Sequence, residues 1–128
     1  MTHKRILIVE DNLMNLELAT DLLELEGHEV LQARSAEEGI VSAKTHQPDL
    51  ILMDIDLPGM NGLTATRKLK QTPATEHIKV IALTAFAMKA DEQRARKSGC
   101  EGFLTKPIST RTFAQQISAF LGEMEDGR

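Results

Sequence analysis

The chain has no tryptophan and no tyrosine, and four phenylalanines are its whole aromatic complement. That leaves little for stacking on single-stranded nucleic acid. Cysteine occurs once, as Cys100, so no internal disulfide can form. Cys100 is read as a small packed residue rather than a reactive thiol. No apolar run approaches the roughly 20 residues that span a bilayer. The stretch Ile6 to Val9 follows basic Lys4 and Arg5, but it is too short for a signal-peptide core and runs into Glu10-Asp11. These absences fit a cytoplasmic protein with no membrane role. Neither charge sign dominates: the formal charge is −4, with Lys and Arg scattered along the chain. No electrostatic footprint for DNA results, so direct DNA binding is not expected.

Several chemistries are missing as well. There is no GxxxxGK[ST] loop and no GxGxxG after a strand, so nucleotide binding has no support. His3, His28, His46 and His77 are isolated, which removes a zinc cluster and a histidine base for a serine or cysteine nucleophile.

What is present is an alternation of short apolar runs with longer amphipathic ones. The first run is Ile6-Leu7-Ile8-Val9. Met14, Leu18, Leu22 and Leu25 then recur at helical spacing, with Ala19 and Leu23 widening the stripe and Gly27 as a stop. Val30-Leu31 marks a weaker second strand. Ser35-Ala36-Glu37-Glu38 has the form of a capping box, followed by Ile40 and Ala43. Leu50-Ile51-Leu52-Met53 is apolar at every position, as expected of a parallel strand buried on both faces. Pro58-Gly59 and Asn61-Gly62 punctuate a loop, and Asn61 suits a helix cap. Lys79 to Leu83 is a fourth strand, residues 88 to 98 a polar helix, and Gly102-Phe103-Leu104 a short fifth strand. Ser109 or Thr110 is expected to cap a last helix with Phe113, Ile117, Phe120 and Leu121 on one face. The alternation predicts an α/β fold, an open parallel sheet with helices on both faces. One domain over 1–122 with a polar tail, 123–128, accounts for the chain, and the start and tail suit a complete small protein.

In such a sheet, ligands bind at the carboxyl ends of the strands, where strand order reverses. The first strand ends in Glu10-Asp11, the third in Asp54 and the fourth in Thr84, and the fifth is followed by Lys106-Pro107. The second ends in Ala33-Arg34 and adds nothing obvious. Three carboxylates in one crevice repel, by roughly 4 kcal/mol per pair at about 4 Å and an effective dielectric near 20. Lys106 offsets part of this. The excess calls for a divalent cation, and all-oxygen ligation suits Mg²⁺, Mn²⁺ or Ca²⁺. Metal-assisted phosphoryl transfer remains, with Asp54 as nucleophile, Lys106 neutralising phosphoryl oxygens and Thr84 donating a hydrogen bond.

At these residues the sequence resembles the receiver domains of two-component response regulators. The matching pieces are Val9-Glu10-Asp11-Asn12, the run Leu52 to Gly62, Ala82-Leu83-Thr84-Ala85 and Lys106-Pro107. Ala85 to Lys89 and Asn12 to Asn15 are similar to single-domain receivers of the DivK type. The resemblance implies a flavodoxin-like (CheY-like) doubly wound five-stranded parallel sheet with five helices. It implies a regulatory phosphoacceptor rather than a turnover enzyme, one that assists its own phosphorylation and dephosphorylation. Asp54 takes a phosphoryl group from phosphohistidine on a histidine kinase or histidine phosphotransfer protein. Asp11, Asp54 and the backbone carbonyl of Asp56 ligate Mg²⁺ (Mn²⁺ being an alternative), with Glu10 acting through water and the Asp56 side chain facing solvent. Lys106-Pro107 is a cis peptide. Thr84 and Ala85 meet the phosphoryl group, and Phe103 turns inward. The signal emerges on the face of the fourth helix, fifth strand and fifth helix, for separate protein readers. Phe103 lacks the hydroxyl that a tyrosine there would offer a partner.

Three alternatives are weighed. Asp54-Ile55-Asp56 superficially resembles the Asp-x-Asp signature of haloacid-dehalogenase-type hydrolases, but it lies mid-chain and is followed by Leu57-Pro58. A phosphorylation-independent interaction module is disfavoured because every acceptor-site residue is present. The chain could also be a receiver fragment of a larger regulator or hybrid kinase.

Overall fold

The structure, a computed structural model, describes residues 4–85 and 88–125. Phe86 and Ala87, part of the resemblance above, lie outside the described residues, as do 126–128. Five strands alternate with five helices: β1 Arg5–Val9, α1 Leu13–Leu25, β2 Glu29–Ala33, α2 Ala36–His46, β3 Leu50–Asp54, α3 Gly62–Lys70, β4 Lys79–Thr84, α4 Lys89–Lys97, β5 Gly102–Thr105 and α5 Phe113–Glu125. Strand order is β2-β1-β3-β4-β5, and every pairing is parallel. This is the predicted doubly wound sheet, and its order reverses between β1 and β3.

All five residues of β3 are buried, because helices cover the sheet on both sides. On one side Leu7, Val9, Ile51, Met53, Val80 and Ala82 meet Ala36 and Ala43 of α2, Ala65 and Leu69 of α3 and Ala95 of α4. On the other, Ile6, Ile8, Leu50, Leu52, Ile81 and Leu83 meet Leu16, Ala19 and Leu23 of α1 and Phe113, Ile117 and Leu121 of α5. Each fully buried Leu, Ile or Val contributes about 1.5–3 kcal/mol over its exposed state. Among the described residues, no helix is long and apolar enough to cross a membrane.

The starts of α1, α2 and α3 follow from their caps. Asn12 Oδ1 accepts the Asn15 N–H at 3.0 Å, and Asn61 Oδ1 accepts the Thr64 N–H at 2.9 Å. Ser35 Oγ accepts the Glu38 N–H at 3.1 Å, but the Glu38 carboxylate reaches past the cap to the Arg34 N–H at 3.3 Å, so the box is one residue wide of its usual form.

Three details depart from the sequence reading. The buried stripe of α1 is Leu16, Ala19 and Leu23, while Met14 and Leu25 are each 81% exposed. Leucines surround this helix almost completely, so periodicity alone does not fix its phase. The last helix starts at Phe113, not beside Ser109 or Thr110: a turn occupies 110–112, and the Phe113 N–H donates to the Ser109 carbonyl at 3.0 Å. That helix also continues past Gly122 to Glu125.

Gly62 joins this framework to the crevice. A Cβ there would lie 2.3 Å from the Asp54 carbonyl oxygen and 2.8 Å from Ile55 Cα, both backbone atoms that cannot swing aside. Gly62→Ala is expected to lower stability by about 1–3 kcal/mol, read by urea denaturation, and to weaken Mg²⁺ binding because α3 must retreat from the β3 terminus. An unchanged denaturation midpoint would contradict this.

Candidate functional site

The parallel register delivers the site residues to one edge. Val9 pairs with Met53, so Glu10 and Asp54 follow at adjacent strand ends. Asp54 pairs with Leu83, which puts Thr84 one step beyond. Thr84 pairs with Thr105, and the Lys106 N–H donates to the Thr84 carbonyl at 2.7 Å. The Lys106-Pro107 peptide is cis, as expected.

Glu10 and Asp54 are each 1% exposed. Lys106 Nζ donates to Asp54 Oδ2 at 2.9 Å and lies 3.2 Å from Glu10 Oε1. The second contact is an ion pair without hydrogen-bond geometry, so Glu10 Oε1 is a buried oxygen with no hydrogen-bond donor. The other oxygens are held: Glu10 Oε2 accepts the Asn12 N–H at 3.1 Å, and Asp54 Oδ1 accepts the Asp56 N–H at 2.8 Å.

Burial, with the Asp54 carboxylate alongside, raises the Glu10 pKa to about 7. For Lys106, burial works to lower the pKa, but the hydrogen bond and charge of Asp54, joined by Glu10, outweigh it and leave the value raised. The ammonium is therefore charged at neutral pH.

Carboxylate oxygens of Glu10, Asp11 and Asp54 lie within 4.8 Å of one another. Three acidic groups face one ammonium, and one buried oxygen lacks a donor. An all-oxygen donor set with unmatched negative charge fits a hard divalent cation such as Mg²⁺.

Two side chains do more than the sequence suggested. Asp56 is exposed, but its carboxylate does not simply face solvent. Asp56 Oδ2 accepts the Thr84 hydroxyl at 3.1 Å and the Ala85 N–H at 3.0 Å. Arg34, at the end of β2, donates from Nη2 to the Asp11 carbonyl at 3.1 Å and so braces the β1–α1 loop. A cation directly after a strand end was the available signal for Arg34. Nothing local marked Asp56, because its partners are 28 and 29 residues away. Phe103 is partly buried and packs against the core beneath α2, α3 and α4. Cys100 is buried, and desolvation raises its thiol pKa to about 11, in keeping with a packed role.

The family model for the response regulator receiver domain matches residues 6–118, and the chain belongs to that family. Within it, the chain is 49% identical over 120 residues to the polar-differentiation response regulator DivK of Brucella ovis, covering 94% of this chain and 98% of that protein. The DivK of Brucella anthropi is 48% identical over the same shares. Among solved structures, a CheY-like receiver domain protein from Methanospirillum hungatei superposes with a TM-score of 0.89 at 31% identity, covering 99% of this chain and all of that one. The receiver domain of a sensor histidine kinase from Pseudomonas aeruginosa, described with a magnesium ion coordinated in its active-site cleft, gives 0.85 at 29% identity over 94% and 99% of the two chains. The chain is thus a receiver domain of two-component signalling, similar along nearly its whole length to DivK regulators.

The raised Glu10 pKa has a signed consequence for the metal-free protein. The folded state binds this proton more tightly than the unfolded chain, whose ordinary value is 4.5. The resulting stabilisation is complete below about pH 4.5 and is lost as pH rises through about 7. In chelator, wild type should therefore lose stability relative to Glu10→Gln between these values, measured by urea denaturation across pH. Saturating Mg²⁺ should shrink that loss, since the cation favours the ionised carboxylate in the folded state and brings its pKa back toward 4.5. A pH-independent difference would contradict the assignment.

Proposed function

We propose that Asp54 accepts a phosphoryl group from phosphohistidine and that this switches a protein-interaction face. The supporting observation is the charge-paired pocket: a buried Asp54 carboxylate in contact with the Lys106 ammonium, beside a second buried carboxylate, Glu10, one oxygen of which lacks a hydrogen-bond donor. In the transfer, an Asp54 oxygen bonds to phosphorus as the phosphorus–nitrogen bond to imidazole breaks, and the imidazole leaves and takes up a proton. The donor is a histidine kinase or a histidine phosphotransfer protein.

Asp11, Asp54 and the Asp56 carbonyl would hold Mg²⁺, with Glu10 acting through water. When bound, the cation supplies positive charge against the phosphoryl oxygens and orients them. Lys106 neutralises a further oxygen and anchors Asp54 at the β3 terminus. The Thr84 hydroxyl and the Ala85 N–H donate to the phosphoryl group once it is in place, and Phe103 moves inward behind Thr84. The change then reaches α4, β5 and α5, where a separate protein reads it. Phosphorylation acts by favouring one of two existing arrangements, through added charge and acceptor oxygens. Residues 1–122 serve as the receiver unit in the cytoplasm, with 123–128 as a polar tail.

The test is intact mass after incubation with acetyl phosphate, with and without Mg²⁺. Wild type should gain one phosphoryl group only with Mg²⁺, and Asp54→Asn should gain none. Lys106→Met should be phosphorylated about tenfold more slowly or worse, since it loses a charge-assisted contact to the reacting group. Absence of any gain, or an equal gain in Asp54→Asn, would overturn the proposal.

A further inference from the structure

We infer that the Asp56 side chain is a positioning residue that holds the switch in its resting state. The inference rests on the proposal that Thr84 and Ala85 bind the phosphoryl group. In the unphosphorylated chain both donors are already engaged by Asp56 Oδ2, the Thr84 hydroxyl at 3.1 Å and the Ala85 N–H at 3.0 Å. A carboxylate oxygen is the strongest acceptor a side chain offers, and it resembles a phosphoryl oxygen in charge and hardness. Asp56 therefore occupies these two donors as a phosphoryl oxygen would.

The geometry couples this latch to the acceptor. The Asp56 N–H donates to Asp54 Oδ1 at 2.8 Å, so the residue that restrains Thr84 is tied by its backbone to the group that becomes modified. Phosphorylation then exchanges acceptors: Thr84 and Ala85 leave Asp56 for the phosphoryl group, and the released Asp56 carboxylate turns to solvent, to which it is already exposed. The exchange conserves hydrogen bonds, so its free energy is small and the side chain at position 56 sets the balance.

The experiment measures the affinity of beryllofluoride, a tetrahedral mimic of an aspartyl phosphoryl group, for wild type, Asp56→Asn and Asp56→Ala at saturating Mg²⁺. A latch gives an ordered series. Alanine removes the acceptor and should bind about tenfold tighter than wild type, while asparagine keeps a weaker, neutral acceptor and should fall between them. If asparagine and alanine bind equally tightly, only charge repulsion is at work and the latch is overturned. Equal affinity in all three also overturns it. Failure of wild type to bind would instead sink the Asp54 reading. The latch has its own readout in that case: scalar coupling across the hydrogen bond between the Ala85 amide nitrogen and the Asp56 carboxylate carbon in the resting protein. Its presence supports the latch, and its absence overturns it.

Discussion

Two carboxylates, Glu10 and Asp54, sit buried at adjacent strand ends, and a single ammonium, Lys106, is brought against both. Taking these charges from water costs several kcal/mol per ion, and one ammonium does not offset two carboxylates. Only a rigid frame holds such an arrangement, and the apolar sheet provides it. The parallel register leaves Glu10, Asp54, Thr84 and Lys106 no choice but to share one edge. The unmatched charge suits that edge to a divalent cation and, on the proposed function, to a phosphoryl group.

The division of labour follows from burial. The central strands are sealed on both faces. In the proposed switch, motion belongs to the loops at their carboxyl ends, where Asp56, Thr84 and Ala85 would exchange hydrogen bonds among polar partners of similar strength. Phe103, only partly buried against the core, lies on the strand next to Thr84, the place from which the proposed switch would carry that exchange toward α4 and α5. On that proposal, a charge change at one carboxylate becomes a change of surface without disturbing the sheet.

Much of this was legible in the sequence, for physical reasons. A strand apolar at every position, Leu50 to Met53, can only be central in a covered sheet, and reading the residue after each such run located Glu10, Asp11, Asp54, Thr84 and Lys106. What escaped was orientation. The leucines of α1 allowed several phases, and only packing against Ile6, Ile8 and Leu52 chose Leu16, Ala19 and Leu23. Asp56 looked like a solvated loop residue because its partners lie on β4 and just after it, a contact made only once the sheet has formed. Arg34 was passed over because it acts through a backbone carbonyl, which carries no sequence signal.

The central claim is that Asp54, and no neighbouring carboxylate, carries the phosphoryl group. An acyl phosphate is reduced by borohydride to the alcohol, which at an aspartate leaves homoserine. After phosphorylation by acetyl phosphate with Mg²⁺, reduction and peptide mass analysis, the expected result is homoserine at position 54, with Glu10, Asp11 and Asp56 unchanged. Homoserine at 11 or 56, or none anywhere in a protein that had gained phosphoryl mass, would contradict the account.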